Sequence, residues 1–268
     1  MQKAHEVDYT LYGDDMQFVE IGLDYGESII AEAGAMMYMD SSVEMDSIFG
    51  DGSNKDAGKG LMGKLMGAGK RVITGESLFM SSFTNKGNNK CVVAFAAPYP
   101  GKVIPMELTD YNGQIICQRD SFLCSAKGIS IEIAFQKKIG AGLFGGEGFI
   151  MQKLTGDGLA FLHAGGMVIK KELLPGEMIK IDTGCLVAFT KEVDYDVQFV
   201  GNIKSALFGG EGLFLATLRG PGYVWLQSLP FSRMADRIFA ASKKAGGESK
   251  GEGSLLGGIG LGNILGND

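Results

Sequence analysis

The sequence predicts an all-β protein of three β-sandwich-like repeats with pseudo-threefold symmetry, followed by a C-terminal helix and a glycine-rich tail. Three observations lead there. Apolar or alternating runs such as KCVVAFAA, GISIEIAF, VDYDVQFV and GYVWLQS have the length and period of strands. Glycine rises to 42 of 268 residues, where about 7% is usual, and turn pairs such as Asn-Gly and Pro-Gly separate the runs. Finally, LFGGEG occurs twice, and the residues after it keep one spacing of apolar positions.

The first repeat takes residues 1–102 and holds Gly75-Glu76 in the stretch RVITGESLFMSSFT. It carries a glycine-rich insertion at about 46–70 that the other repeats lack. The second repeat, 103–165, contains Gly146-Glu147, and the third, 166–230, contains Gly210-Glu211. Upstream, Gly26, Gly113 and Gly176 each stand eight residues before a small residue: Gly34, Ser121 and Gly184. A unit of this size has too little core to stand alone, so three packed around an axis would bury one another's apolar faces. Within the insertion, Leu61, Met62, Leu65 and Met66 have helical spacing among lysines, and this reads as a docked or mobile loop. After Pro230, Ser232 is placed to cap an amphipathic helix over 231–245 with Phe231, Met234, Ala235, Ile238 and Phe239 as its apolar stripe, expected to dock on the β body. The tail, 246–268, is of low complexity.

Composition narrows the function. A net charge of -6 and a pI near 5.1 disfavour nucleic acid, which calls for a basic face. The start has no signal-peptide pattern and no window has a spanning helix's length, which points to the cytoplasm. Cys91, Cys117, Cys124 and Cys185 sit in strand-like segments without a CxxC pair and read as buried reduced thiols. Gly140, Gly142 and Gly145 fit GxGxxG, but a strand-like GFIMQKL follows where a dinucleotide site needs a helix. Gly58, Gly63 and Lys64 approach a phosphate loop, yet Leu65 stands where Ser or Thr would hold magnesium. Neither histidine reads as catalytic: His5 lies in a start expected to fray, and His163 is matched by Phe95 and Gln227 in the other repeats. The repeat-equivalent pairs Gly75-Glu76, Gly146-Glu147 and Gly210-Glu211 are the positions to watch, read as strand-bend carboxylates in preference to a metal-binding trio.

These Gly-Glu units and the motifs around Gly34, Ser121 and Gly184 resemble the altered-inheritance-of-mitochondria family over roughly Val7 to Pro230. The resemblance implies three repeats similar to the trp RNA-binding attenuation protein subunit and supplies no catalytic residue. Lys153 and Arg219 do not occupy matching repeat positions, which speaks against a repeated RNA contact. The expectation is a non-enzymatic scaffold or interaction protein without cofactor or metal, working through a protein partner or self-association. A peripheral membrane factor using residues 58–71 and the tail is the alternative, and an RNA- or small-molecule-binding protein ranks below it.

Overall fold

Strands buried on both faces lose polar alternation and read as unbroken apolar runs, whereas strands with one wet face keep it. Both kinds occur in the computed structural model, which describes residues 3–49, 79–137, 149–199 and 214–242. A lone strand β1 (Asp8–Tyr12) comes first. Then follow β2 (Phe18–Leu23), β3 (Ser28–Glu32), β4 (Met36–Met39), β5 (Val43–Phe49), β6 (Phe79–Asn85) and β7 (Cys91–Ala96). A second set comprises β8 (Gly101–Glu107), β9 (Gln114–Gln118), β10 (Phe122–Ala126), β11 (Ser130–Lys137), β12 (Phe149–Thr155) and β13 (Leu159–Gly165). The third is β14 (Val168–Leu173), β15 (Met178–Asp182), β16 (Leu186–Thr190), β17 (Asp194–Phe199), β18 (Phe214–Arg219) and β19 (Gly222–Gln227). Among the described residues the chain is all-β apart from short 3-10 turns and the helix α1 (Phe231–Ser242).

Antiparallel pairing assembles four sheets, ordered β1-β2-β7-β4, β5-β6-β3-β10-β13-β8, β11-β12-β9-β16-β19-β14 and β15-β18-β17. Each six-stranded sheet joins three strands of one set to three of the next, through β3 with β10 and β9 with β16. The same bulge recurs in β4, β10 and β16, between Met36 and Tyr38, Phe122 and Cys124, and Leu186 and Ala188. What recurs is strand order and pairing. Among the described residues the first and fourth sheets remain separate, so the recurrence runs along a stack with two ends.

Three apolar clusters fill the gaps between successive sheets. Ile21, Phe95 and Phe83 lie between the first and second sheets. Met106, Leu154 and Trp225 lie between the second and third, and Phe149, Phe189 and Leu218 between the third and fourth. Alternate residues of β3 serve two clusters: Ile29 and Ala31 face one, Ile30 the next. This is why β10 and β16 are buried at every position, while β4 is exposed at all of its own. Each fully buried large side chain contributes roughly 1.5–3 kcal/mol.

The turn glycines found by spacing, Gly26, Gly113 and Gly176, have φ of +81°, +73° and +85°, a region costly for any residue with a Cβ. In the second copy Asn112 (φ +56°) shares the left-handed turn, and the strand after it is one residue out of step. Pairing sets Gln118 opposite Met151, as Glu32 is opposite Met80 and Asp182 opposite Leu215. Counting without a gap from Gly26, Gly113 and Gly176 would instead put Arg119 at that level.

The start is held in place instead of fraying. Ala4 is buried, His5 N–H donates to Lys127 O (2.9 Å), and His5 Nδ1 accepts from Ser28 N–H (2.8 Å). The chain divides into two units, Met1–Phe231 and Ser232–Asp268. Helix α1 begins at Phe231, so Ser232 lies inside it and is not its cap. On its stripe Ile238 and Phe239 are exposed.

Candidate interaction surface

The outer face of the first sheet carries a cluster that the strands build by register. Val19, Ile21 and Leu23 of β2 point into the core, so Phe18 and Glu20 point outward. Pairing sets Tyr12 of β1 beside Phe18, and Tyr38 of β4 beside Ala94 of β7, which itself pairs with Glu20. Tyr12 stacks on Phe18 with ring centres 4.9 Å apart, and Phe18 meets Tyr38 edge-on at 6.5 Å. Both tyrosine hydroxyls donate to Glu20, Tyr12 at 3.3 Å and Tyr38 in a short bond. The carboxylate partner raises the Tyr38 phenol to about 12. Tyr12 and Tyr38 remain 42% and 39% exposed, and the edge strand β4 also exposes Met36, Met37 and Met39, of which Met36 and Met39 pair with Phe95 and Val93 on the face opposite Tyr38. Among the described residues this apolar surface, rimmed by polar groups, lies along a sheet edge with no strand beyond it.

A second polar group gathers at the end of β3. Glu32 is exposed by area, yet crowding by protein atoms and then the nearby Asp120 push its carboxyl up to about 7, with Arg119 acting the other way. Tyr99 donates to Asp120 O (3.3 Å) and meets His163 edge-on at 4.6 Å, and burial raises its phenol. His163 is buried, its Nδ1 has no partner, and desolvation lowers it to about 4. The imidazole is thus held neutral, with its ring packed against that of Tyr99.

Elsewhere, Lys170 Nζ sits 4.2 to 5.2 Å from the ring centres of Tyr111, Tyr223 and Trp225, so the lysine occupies its own aromatic cage. Lys153 pairs with Glu132 (2.9 Å) and Arg219 with Asp194 (3.1 Å), which engages both cations in local ion pairs.

The sequence-derived positions Gly75, Glu76, Gly146, Glu147, Gly210 and Glu211 lie outside the described residues, as do the segment 58–71, both glycine motifs and the tail. Among the described residues no group of three His, Cys, Asp or Glu side chains is placed to hold a metal. Cys91, Cys117 and Cys124 are buried free thiols, and Cys185 is half-buried. Burial pushes Cys117 up to about 12. No described helix is long and apolar enough to cross a membrane. By register His163, opposite Val103, holds the level of Gln227 (opposite Val168) in the third set and of Ala96 (opposite Phe18) in the first, one residue from the Phe95 that spacing matches to it. The aromatic cluster escaped sequence reasoning because its members come from three strands; the available signal was the run Met-Met-Tyr-Met, too apolar for a wet edge.

A family model described as mitochondrial biogenesis AIM24 matches residues 9–229. An uncharacterized protein of Streptococcus pyogenes serotype M6 is 33% identical over 230 residues, covering 83% of this chain and 86% of its own length. A crystal structure of a Streptococcus pyogenes protein is similar at a TM-score of 0.70 and 26% identity, covering 88% of this chain and all of that one.

Proposed function

The chain belongs to the mitochondrial biogenesis AIM24 family, and from that premise we propose that it is a non-enzymatic interaction protein working through the open end of its first sheet. One observation carries this reading: Tyr12, Phe18 and Tyr38 stand solvent-facing around Glu20, beside an edge strand whose four residues are all exposed. Surface of this kind gains by being covered, and a free edge offers backbone hydrogen bonds to whatever covers it. The free cysteines fit a reducing compartment such as the cytoplasm.

The test is native mass spectrometry on full-length chain purified gently from its own cells, beside a Phe18→Ser/Tyr38→Ser variant. The reading expects a defined protein assembly that the variant loses. A bare mass of 28.5 kDa for the native chain overturns it. So does an assembly indifferent to the variant, and flotation of both forms with anionic vesicles would move the function to the membrane surface.

A further inference from the structure

Two junctions inside the chain show what the ends of the stack are shaped to receive. At the first, β10 pairs with β3 in the register Cys124 to Ala31, Ser125 to Ile30 and Ala126 to Ile29. At the second, β16 pairs with β9, Ala188 to Cys117, Phe189 to Ile116 and Thr190 to Ile115. The strand corresponding to β10 and β16 in the first set is β4, and the one corresponding to β3 and β9 in the third set is β15. Both are terminal strands of their sheets among the described residues. Each carries the half of a junction that the other would complete.

We propose that copies of this chain associate head to tail, β4 of one adding to β15 of the next and merging the first and fourth sheets into a continuous antiparallel sheet. The inference rests on the interaction reading above and names the partner as a second copy. The register follows from the internal junctions: Tyr38 opposite Ile181, Met39 opposite Lys180, Asp40 opposite Ile179. Backbone polarity agrees. Lys127 N–H donates to Ser28 O (3.1 Å), which makes Ser125 and Ile30 a hydrogen-bonded pair two residues along, and Met39 and Lys180 are their counterparts. Asp40 N–H donates inward to Val92 O (3.0 Å), so the groups of Met39 face the open side.

The flanking faces agree too. Phe18 and Tyr38 occupy the levels of Val103 and Cys124, which pack under the preceding sheet. At the other end Ile169 is 48% exposed, at the level of Val19, which is fully covered. A second copy would lay the first pair over the second site. The partner is another chain because, among the described residues, β4 and β15 do not pair with each other and no apolar cluster joins the first sheet to the fourth. A contact between unlike surfaces propagates, closing into a ring if the rotation allows and growing into a filament if it does not.

The experiment uses the full chain. Met39→Pro and Lys180→Pro each remove an outward backbone donor while sparing the pairing to β7 or β18. Sedimentation velocity should show concentration-dependent multiples of 28.5 kDa for the native chain and loss of those multiples in either variant, with far-ultraviolet circular dichroism unchanged. Because proline in a strand also weakens folding, cysteine pairing gives a second reading. Tyr38→Cys and Ile181→Cys, prepared as separate single variants and mixed under mild oxidation, should yield a covalent dimer that neither gives alone. A native chain that stays monomeric at every concentration overturns the proposal. A double variant that cross-links only within one chain also overturns it. An assembly that persists in both proline variants, or holds a different protein, overturns head-to-tail pairing while leaving the interaction reading intact.

Discussion

His163→Gln should flatten the acid side of the stability profile. The imidazole is buried, its Nδ1 has no partner, and desolvation alone lowers it from 6.5 to about 4. A base whose folded pKa is depressed is protonated first in the unfolded chain, so its contribution is complete above pH 6.5 and is lost as pH falls toward 4. From that shift the native chain should lose about 1 kcal/mol by pH 5.5 and about 2 to 3 kcal/mol by pH 4.5 through this residue. Glutamine is the natural replacement, because Gln227 stands at the same level of the third set. There its side chain donates to Gly184 O (2.8 Å) and accepts from Gly165 N–H (2.7 Å). Around His163 the corresponding carbonyl is that of Asp120, but the corresponding donor position is Pro100, which has no N–H. The orphaned ring nitrogen thus has a local cause. The assay is urea unfolding of both proteins at constant ionic strength from pH 7.5 to 4.5, with the difference plotted against pH. A difference that stays flat within about 0.5 kcal/mol would refute the reasoning, because it would mean the ring takes up its proton equally in both states.

Glu32→Gln should act with the opposite sign: a carboxyl raised from 4.5 to about 7 makes the native chain gain stability as pH falls through that window, and the variant should lose the gain. Glu32 is exposed, so solvent screening keeps this effect well below that of His163, and the same urea series measures it. Gly101→Ala would bring a Cβ within 2.0 Å of Ala164 O, a backbone collision expected to lower thermal stability by roughly 3 kcal/mol or more. Gly26→Ala meets nothing within 4 Å and should cost only about 1–2 kcal/mol for its left-handed backbone, as calorimetry can check. With a chromogenic disulfide reagent at pH 8, half-buried Cys185 should react in the native state while Cys117 and Cys124, buried with raised thiols, stay silent until denaturant is added.

Periodicity made the strands legible because a sheet writes burial into the chain every second residue, and the turn glycines were legible because their φ admits little else. Spacing failed where single residues were absorbed. The Asn112-Gly113 turn shifts the second copy by one, and His163 had been matched to Phe95 in place of Ala96. A one-residue slip exchanges the two faces of a strand, so equivalent positions can be assigned only once partners are known. The anchoring of His5 is invisible to sequence pattern for a related reason. Its hydrogen bonds go to Ser28 and Lys127, both distant in sequence, and no local pattern announces such partners. The surface of Tyr12, Phe18, Glu20 and Tyr38 was hidden in the same way, since three strands contribute to it.

The two ends of the stack differ in a way that a mere run of repeats does not require. If each end served only as a cap, both outer faces would be expected to turn polar, as terminal repeats do. The fourth sheet moves that way: Lys180 stands where Ile30 and Ile116 stand in the covered sheets. The first does not, for Phe18 and Tyr38 remain apolar at levels held inside the stack by Val103 and Cys124. The hydroxyls of Tyr12 and Tyr38 are gathered by Glu20, which satisfies both at one carboxylate. An aromatic surface kept at one end, with a receiving site at the other, is what directional association needs and what a solvent cap lacks. The asymmetry of the ends, more than any one residue, argues that the stack is built to continue.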